Sequence, residues 1–473
     1  MIRTLCLALL YAGSLLATDA QVNVSSKAGD RLTAKPAVHL EPAAGRTADF
    51  RIDDATRLQR MDGFGATFLE AGMMCLRTLD KAQQDAVLAA LFDPERGAGF
   101  SAMKVPIAGT DFQSAGPFYT YDETPGDTGM KHFSVARDLG PNGVIPFILA
   151  ARRHGTFALQ SPMDYPPDWM LFDIQKHQDV NPKYYDALAL YYLRFAQEYE
   201  KAGVHIDFVS LFNEPGVYTK IPYLEIRDIL KNHVGPLFAK SGISTKLQLS
   251  EAPDRAEAIA NYPTILDDPE ARKYVASAPY HGYGDTNFDG LAALIKRHPG
   301  LPFWMTEVCW AYEAGAPRNI KLPRYDWEDG DYWGDMIFSD VEAGASAWIY
   351  WNMILNENGG PWMKSEVHGN PDPNVQQPMV VINAQTKKVS YLADYYYLAH
   401  FSKFLRPGAV RLKLTGKADG VRALAFQSPS GGLILELLNR RTTPSVITVG
   451  WRGQMLKANL PALSISTYRW STN

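Results

Sequence analysis

Between about Met61 and about Phe404 the chain alternates short apolar runs with helix-patterned segments, and this alternation constrains the fold more than any other feature. The runs are Gly63–Phe68, Ala102–Pro106, Phe157–Ser161, Phe208–Phe212, Lys246–Ser250, Ala276–Tyr280, Phe303–Thr306 and Ala345–Trp351. Helical patterns lie between them. Asp80–Phe92 opens on Asp80 with Gln83 three residues on, a capping-box pair. Tyr184–Ala202 places Leu188, Tyr191, Tyr192, Phe195 and Tyr199 at helical spacing, and Gly203 supplies the stop. Eight such βα units predict an α/β chain with a (β/α)8 TIM barrel over residues 59–404. The functional site of such a barrel forms at the C-terminal ends of its strands.

The remainder changes character. Val421–Phe426, Leu433–Leu438 and Ser445–Val449 are short strand-like runs separated by Ser428–Gly432 and Arg440–Pro444, with almost no helical pattern. Residues 405–473 therefore read as a β-sandwich. The segment 21–58, with Ala48–Ile52 and Thr56–Leu58, is strand-like as well, so the sandwich is expected to draw on both chain ends. Residues 1–20 read as a signal peptide. Arg3 gives the positive start, Leu5 to Ala17 form an apolar run too short to span a bilayer, and Thr18-Asp19-Ala20 predicts cleavage before Gln21. This predicts a secreted or periplasmic location, with no transmembrane segment.

Two of the apolar runs end in glutamates. Phe208 to Phe212 leads into Asn213-Glu214-Pro215, and Phe303 to Thr306 leads into Glu307. A carboxylate closing a buried run is costly to place unless chemistry or a partner needs it. Two of them at strand mouths of one barrel suggest the carboxylate pair of a retaining glycoside hydrolase. One residue attacks the anomeric carbon and the other protonates the leaving oxygen. Glu307 is the candidate nucleophile and Glu214 the candidate acid/base, with Asn213 placed to bond a sugar 2-hydroxyl. Glu251, ending the fifth run, is either a supporting or substrate-binding carboxylate or unconnected with the site.

Charge and motifs exclude other classes. With 47 basic and 51 acidic residues, net charge −4, there is no polybasic surface for nucleic acid. No His-Glu-x-x-His, paired-Cys ligand pattern, P-loop or Gly-x-Ser-x-Gly elbow occurs, so neither metal nor other cofactor is expected. Once a signal is removed, only Cys75 and Cys309 remain, and both are expected as buried free thiols. The 10 Trp and 24 Tyr suit a sugar site, where rings stack on the apolar face of a pyranose. Trp310 and Trp362 are candidate sugar platforms or loop anchors.

The chain resembles glycoside hydrolase family 30, and within it the branch containing lysosomal glucosylceramidase. The carrying segments are Asp62-Gly-Phe-Gly-Ala66, Val105 to Phe112, Tyr119-Thr-Tyr-Asp122 and Asn213-Glu-Pro215. They continue with Thr306-Glu307, Trp351-Asn352, Asn358-Gly-Gly-Pro361 and His400 to Phe404. The resemblance implies a barrel joined to a sandwich built from both ends, with Glu214 as acid/base and Glu307 as nucleophile. It further implies sugar contacts from Asp111 and Trp351, and His281 and Tyr283 beside the nucleophile. Such a tyrosine hydroxyl holds Glu307 ionised by donating to it. The chain departs from the branch at Lys104, a candidate substrate contact that stands where that branch has an arginine. It departs again at Met163-Asp164-Tyr165, where a tryptophan is expected, and at Gly282, which replaces another. Asp164 becomes a candidate for binding hydroxyls in place of stacking.

These observations predict a retaining β-glycosidase acting on a β-D-glucoside, either an oligosaccharide or a glycolipid. The alternatives on the same machinery are a β-xylosidase, β-fucosidase, β-galactosidase, endo-β-1,6-glucanase or transglycosylase. The alternative from another class is a non-catalytic carbohydrate-binding protein.

Overall fold

The computed structural model describes residues 19–173, 179–284, 286–313, 325–365, 368 and 372–472. Eight parallel strands close into a barrel. In chain order they are Gly63–Thr67, Ala102–Lys104, Ala158–Ser161, Phe208–Ser210, Lys246–Gln248, Val275–Tyr283, Phe303–Glu307 and Ala347–Asn352. Each of the eight expected runs forms one of them. The barrel closes where Ala347 pairs with Gly63, and the fifth strand joins the sixth through Leu247 opposite Val275. Parallel strands covered on both faces read as unbroken apolar stretches because neither side meets water. Phe303–Glu307 and Ala347–Asn352 are buried at every position.

The helices follow their local signals. Lys81–Phe92 is capped by Asp80, whose carboxylate accepts from the Gln83 amide at 2.8 Å while Gln83 Oε1 accepts from the Asp80 amide. Tyr185–Lys201 buries Leu188, Tyr191, Tyr192, Phe195 and Tyr199 on one stripe, each contributing about 1.5–3 kcal/mol of apolar burial. It stops before Gly203, whose φ of +83° is left-handed backbone.

The second layer is a β-sandwich. One hydrogen-bonded series of ten strands combines Asp19–Ser26, Thr33–His39, Glu41–Pro42 and Phe50–Arg60 with the six strands between Val410 and Trp470. Its core holds Val22, Phe50, Ile52, Leu435, Ile447 and Tyr468. The helix Ala393–Phe404 ties the layers together. His400 Nδ1 lies 2.7 Å from Thr467 Oγ1 and its Nε2 3.0 Å from Ser25 Oγ, so residues from both chain ends clasp one buried ring.

The expected signal peptide lies outside the described residues except for Asp19 and Ala20, which begin the first sandwich strand. Among the described residues no helix is long and apolar enough to cross a membrane. Cys75 and Cys309 are both buried, and neither forms a disulfide among the described residues.

Candidate active site

The fourth, fifth, sixth and seventh strands bring four titratable groups to one point above the barrel. Glu214 stands beyond the end of the fourth strand, held by amide bonds from Asn213 to the Met163 carbonyl and from Glu214 to the Glu251 carbonyl, each 2.8 Å. This anchoring forces Glu214 to φ +44°, a left-handed conformation that costs a non-glycine residue about 1–2 kcal/mol. Backbone strain of this kind clusters where a side chain must be aimed. One carboxylate oxygen of Glu214, one ring nitrogen of His281 and one carboxylate oxygen of Glu307 all lie within 4.8 Å of one another.

His281 is the junction. Its Nδ1 is 2.7 Å from Glu214 Oε1, its Nε2 3.1 Å from Glu251 Oε2, and Glu307 Oε2 stands 3.8 Å from Nε2. Burial alone would discharge the ring. Glu307, with the hydrogen bonds to Glu214 and Glu251, outweighs burial and the opposing Lys104 charge and lifts it to about 9. Glu251 is fully shielded from solvent. Burial raises its carboxyl, but the Lys104 charge, His281 and the Thr306 hydroxyl at 2.7 Å together bring it to about 2. Glu251 is therefore an ionised acceptor in the floor of the site.

Lys104 answers differently from the sequence-based expectation of a sugar contact. Its ammonium donates to Glu307 Oε2 at 2.7 Å, Glu251 Oε2 at 3.0 Å and Asn213 Oδ1 at 3.4 Å. An ammonium has three hydrogens and all are engaged, so Lys104 organises carboxylates and has no donor left for a sugar. Burial tends to discharge it, yet Glu251 and Glu307 raise it above its ordinary value. Its charge also stands 5.2 Å over the Trp351 ring.

Of the other expected site residues, Tyr283 donates to Glu307 Oε1 at 3.2 Å. Asn213, with Oδ1 turned to Lys104, is left with its amide NH2 as donor. Asp111 accepts from the Tyr218 hydroxyl at 2.7 Å, a partner that sequence reasoning missed. Trp310 is 7% exposed and packs on Tyr332 and Trp333 at 4.6 and 4.5 Å, so its ring helps anchor the helix Trp327–Ala343. Asp164 is buried, and neither of its carboxylate oxygens meets a hydrogen-bond partner among the described residues. Burial first, then the Glu307 charge, push its carboxyl well above the usual range, with Lys104 opposing. At Gly282 a Cβ would meet Val308, Met305 and Met336 at 3.1–3.3 Å, so those side chains fill the space a tryptophan would need.

Comparison with known proteins agrees with this architecture. Residues 61–405 match the family model for the glycosyl hydrolase family 30 TIM-barrel domain, and residues 408–468 match that for the family's beta sandwich domain. Putative glucosylceramidase 4 of Caenorhabditis elegans is 27% identical, the alignment covering 92% of this chain and 85% of the relative. Lysosomal acid glucosylceramidase of Mus musculus is 26% identical over 88% and 82%. The endo-1,6-beta-D-glucanase of Neurospora crassa is 28% identical over 83% and 81%. Among solved structures, the endo-beta1,6-glucanase BT3312 superposes with a TM-score of 0.82 at 24% identity, covering 96% of this chain and 99% of that one. A carboxylate-lined barrel mouth and a sandwich fed by both chain ends thus coincide with matches that span most of the sequence. The chain belongs to glycosyl hydrolase family 30.

Proposed function

We infer that this glycoside hydrolase cleaves β-D-glucosides with retention of configuration. Glu307 attacks the anomeric carbon while Glu214 protonates the departing oxygen, giving a glycosyl-enzyme. Glu214 then takes a proton from the water that hydrolyses it. The observation that carries the reading is the approach of Glu214 and Glu307 carboxylate oxygens to within 4.8 Å. Retaining enzymes hold their carboxyl groups about 5–5.5 Å apart, and inverting ones need about 6.5–9.5 Å to admit a water. Lys104 and Tyr283 support the nucleophile role, since both donate to Glu307 and fix the orientation of its carboxyl group.

The glucosyl assignment draws on the relatives named as glucosylceramidase and endo-1,6-beta-D-glucanase. Those two names share the glucose and differ in the group bonded to its anomeric oxygen, so the aglycone is open to either a lipid or a further β-1,6-linked sugar. The barrel of 59–404 is the catalytic domain, with Asp111, Asn213, Asp164 and Trp351 as its sugar contacts, and residues 1–20 are an export signal. Proton NMR of the first-formed anomer from aryl β-glucoside, glucosylceramide and β-1,6-glucan tests both mechanism and substrate. The β-anomer is expected, and a first-formed α-anomer would rule out the double displacement.

A further inference from the structure

The double displacement assigns His281 no task, yet its Nδ1 stands only 2.7 Å from Oε1 of the acid/base carboxyl. Its two nitrogens are distinguishable. Glu251 Oε2, 3.1 Å from Nε2, also accepts from Lys104 and Thr306 and is ionised, so it can only accept. Nε2 must therefore carry a hydrogen. The remaining nitrogen, Nδ1, faces Glu214 Oε1. A hydrogen bond at that distance requires one proton between the two atoms, held by the ring or by the carboxyl.

We propose that Glu214 and His281 share the acid's proton as one unit. His281 Nδ1 holds it in the resting site, passes it to the Glu214 carboxyl during glycosylation and takes it back during hydrolysis, while Glu251 is the positioning residue that fixes the ring. This rests on the double-displacement reading of the same site. In the first step a Glu307 oxygen bonds to the anomeric carbon as the glycosidic C–O bond breaks. The electron pair leaves with the departing oxygen, which takes the proton that Nδ1 has passed through Glu214, leaving a Glu214 carboxylate and a neutral ring with Nε2–H still on Glu251. In the second step water attacks the anomeric carbon, the bond to Glu307 breaks, and the water's proton travels through Glu214 back to Nδ1.

The groups around the ring favour this arrangement. Glu214 faces it from the fourth strand, Glu251 from the fifth and Glu307 from the seventh, three carboxyl groups around one ring. Lys104 from the second strand opposes them, and Tyr283 on the same strand as His281 packs edge-on to the imidazole at 5.9 Å. Asp164, after the third strand, interacts with Glu214, Glu307, Glu251 and Lys104. A carboxyl acting alone must stay protonated in this site at working pH. A carboxyl backed by an imidazolium can instead be recharged over a pH range set by the ring.

The test uses full-length wild type, His281→Asn and Glu251→Gln, with kcat/KM followed against pH on a phenyl β-glucoside and a 2,4-dinitrophenyl β-glucoside. In the wild type the alkaline limb should fall near the ring's value of about 9. Replacing Glu251 removes an anion from the ring, so that limb should move to lower pH. His281→Asn should lose about 10–100-fold on the phenyl glycoside. Its loss on the dinitrophenyl glycoside, whose leaving group needs no proton, should be at least ~10-fold smaller. Nitrogen-15 NMR of the wild-type imidazole should show both nitrogens protonated at neutral pH, which needs no variant to fold. Equal losses on the two substrates, an unmoved alkaline limb, or an unprotonated Nδ1 with a protonated carboxyl would overturn the relay. Failure of wild type to cleave either substrate, or full activity in Glu307→Gln, would instead overturn the underlying glycosidase reading.

Discussion

The Lys104 ammonium donates to Glu307 Oε2 at 2.7 Å across the barrel mouth, with the lysine wholly shielded and the glutamate nearly so. The same ammonium binds the equally shielded Glu251. Removing one partner of a buried pair strands the other charge, at about 3–5 kcal/mol. Lys104→Met should therefore lower urea-unfolding stability by that order. Lys104→Arg should recover part of it, since the charge persists although the fork cannot reproduce three converging bonds. An unchanged midpoint in Lys104→Met would show that Glu251 and Glu307 lose their charges freely.

Glu214 and Glu307 should separate by product stereochemistry. Glu214→Ala should reduce turnover of phenyl β-glucosides about 10²–10⁴-fold. On the 2,4-dinitrophenyl β-glucoside, whose leaving group needs no acid, the glycosyl-enzyme still forms, so azide should raise turnover and yield the β-glycosyl azide. Glu307→Ala with azide should give the α-glycosyl azide by direct attack. NMR of the two products checks the assignment, and identical anomers from both variants would refute it.

The φ of +44° at Glu214 makes a stability prediction that runs against ordinary ranking. Glycine normally destabilises relative to alanine by about 0.5–1 kcal/mol, but it adopts left-handed backbone without the Cβ penalty. Glu214→Gly should unfold at higher urea than Glu214→Ala, by about 1 kcal/mol, while both remain nearly inactive. The reverse order would mean the loop relaxes once the side chain is gone.

Asp164 should trade stability for activity. Its carboxyl is raised by burial in the folded chain, so between the ordinary value of 3.8 and the raised one the folded state binds more protons than the unfolded state. Stability is then present below the ordinary value and declines as pH rises through that window. Asp164→Asn removes this decline, so it should be the more stable of the two chains at neutral pH. It should also lose kcat/KM on hydroxylated glycones by about tenfold or more, as one of two buried carboxyl oxygens facing the sugar hydroxyls becomes an amide donor. Unchanged sugar preference and rate would remove Asp164 from the site.

His400 predicts the acid response of the joint between barrel and sandwich. Burial depresses its ring from 6.5 to about 3, so the unfolded chain takes up a proton that the folded chain refuses. Stability should fall as pH drops below 6.5, by up to about 1.4 kcal/mol per pH unit. His400→Gln should flatten that slope in urea titrations. A slope identical to wild type would show that Ser25 and Thr467 release the ring before global unfolding.

Much of this architecture is legible in the sequence, for a physical reason. Barrel strands are covered on both faces, so each appears as a bounded apolar run, and each of the eight runs forms a strand. The ends are less legible. The fourth run continues apolar through Phe212, yet the strand stops at Ser210 because the chain must turn Glu214 inward. The carboxylates stand out since charge at the end of such a run is anomalous. Their support does not, because it pairs residues far apart in sequence: Lys104 with Glu251 and Glu307, or Arg255 with Asp340 at 2.8 Å in full burial. Thr306 reads as one more strand residue, and only its position in space shows that its hydroxyl serves Glu251. Trp310 reads equally as a sugar platform or a loop anchor, because the helix it packs against begins seventeen residues later.

The strand Asp19–Ser26 lies against Ser464–Trp470 in unbroken register, Gln21 opposite Arg469 and Ser26 opposite Ser464. A ribosome must therefore release almost the entire polypeptide before its earliest strand acquires this partner. The barrel segments between can collapse meanwhile through their shorter-range contacts. A nascent fragment halted short of residue 464 lacks this partner, and the edge of Asp19–Ser26 that it would cover is left open to aggregation.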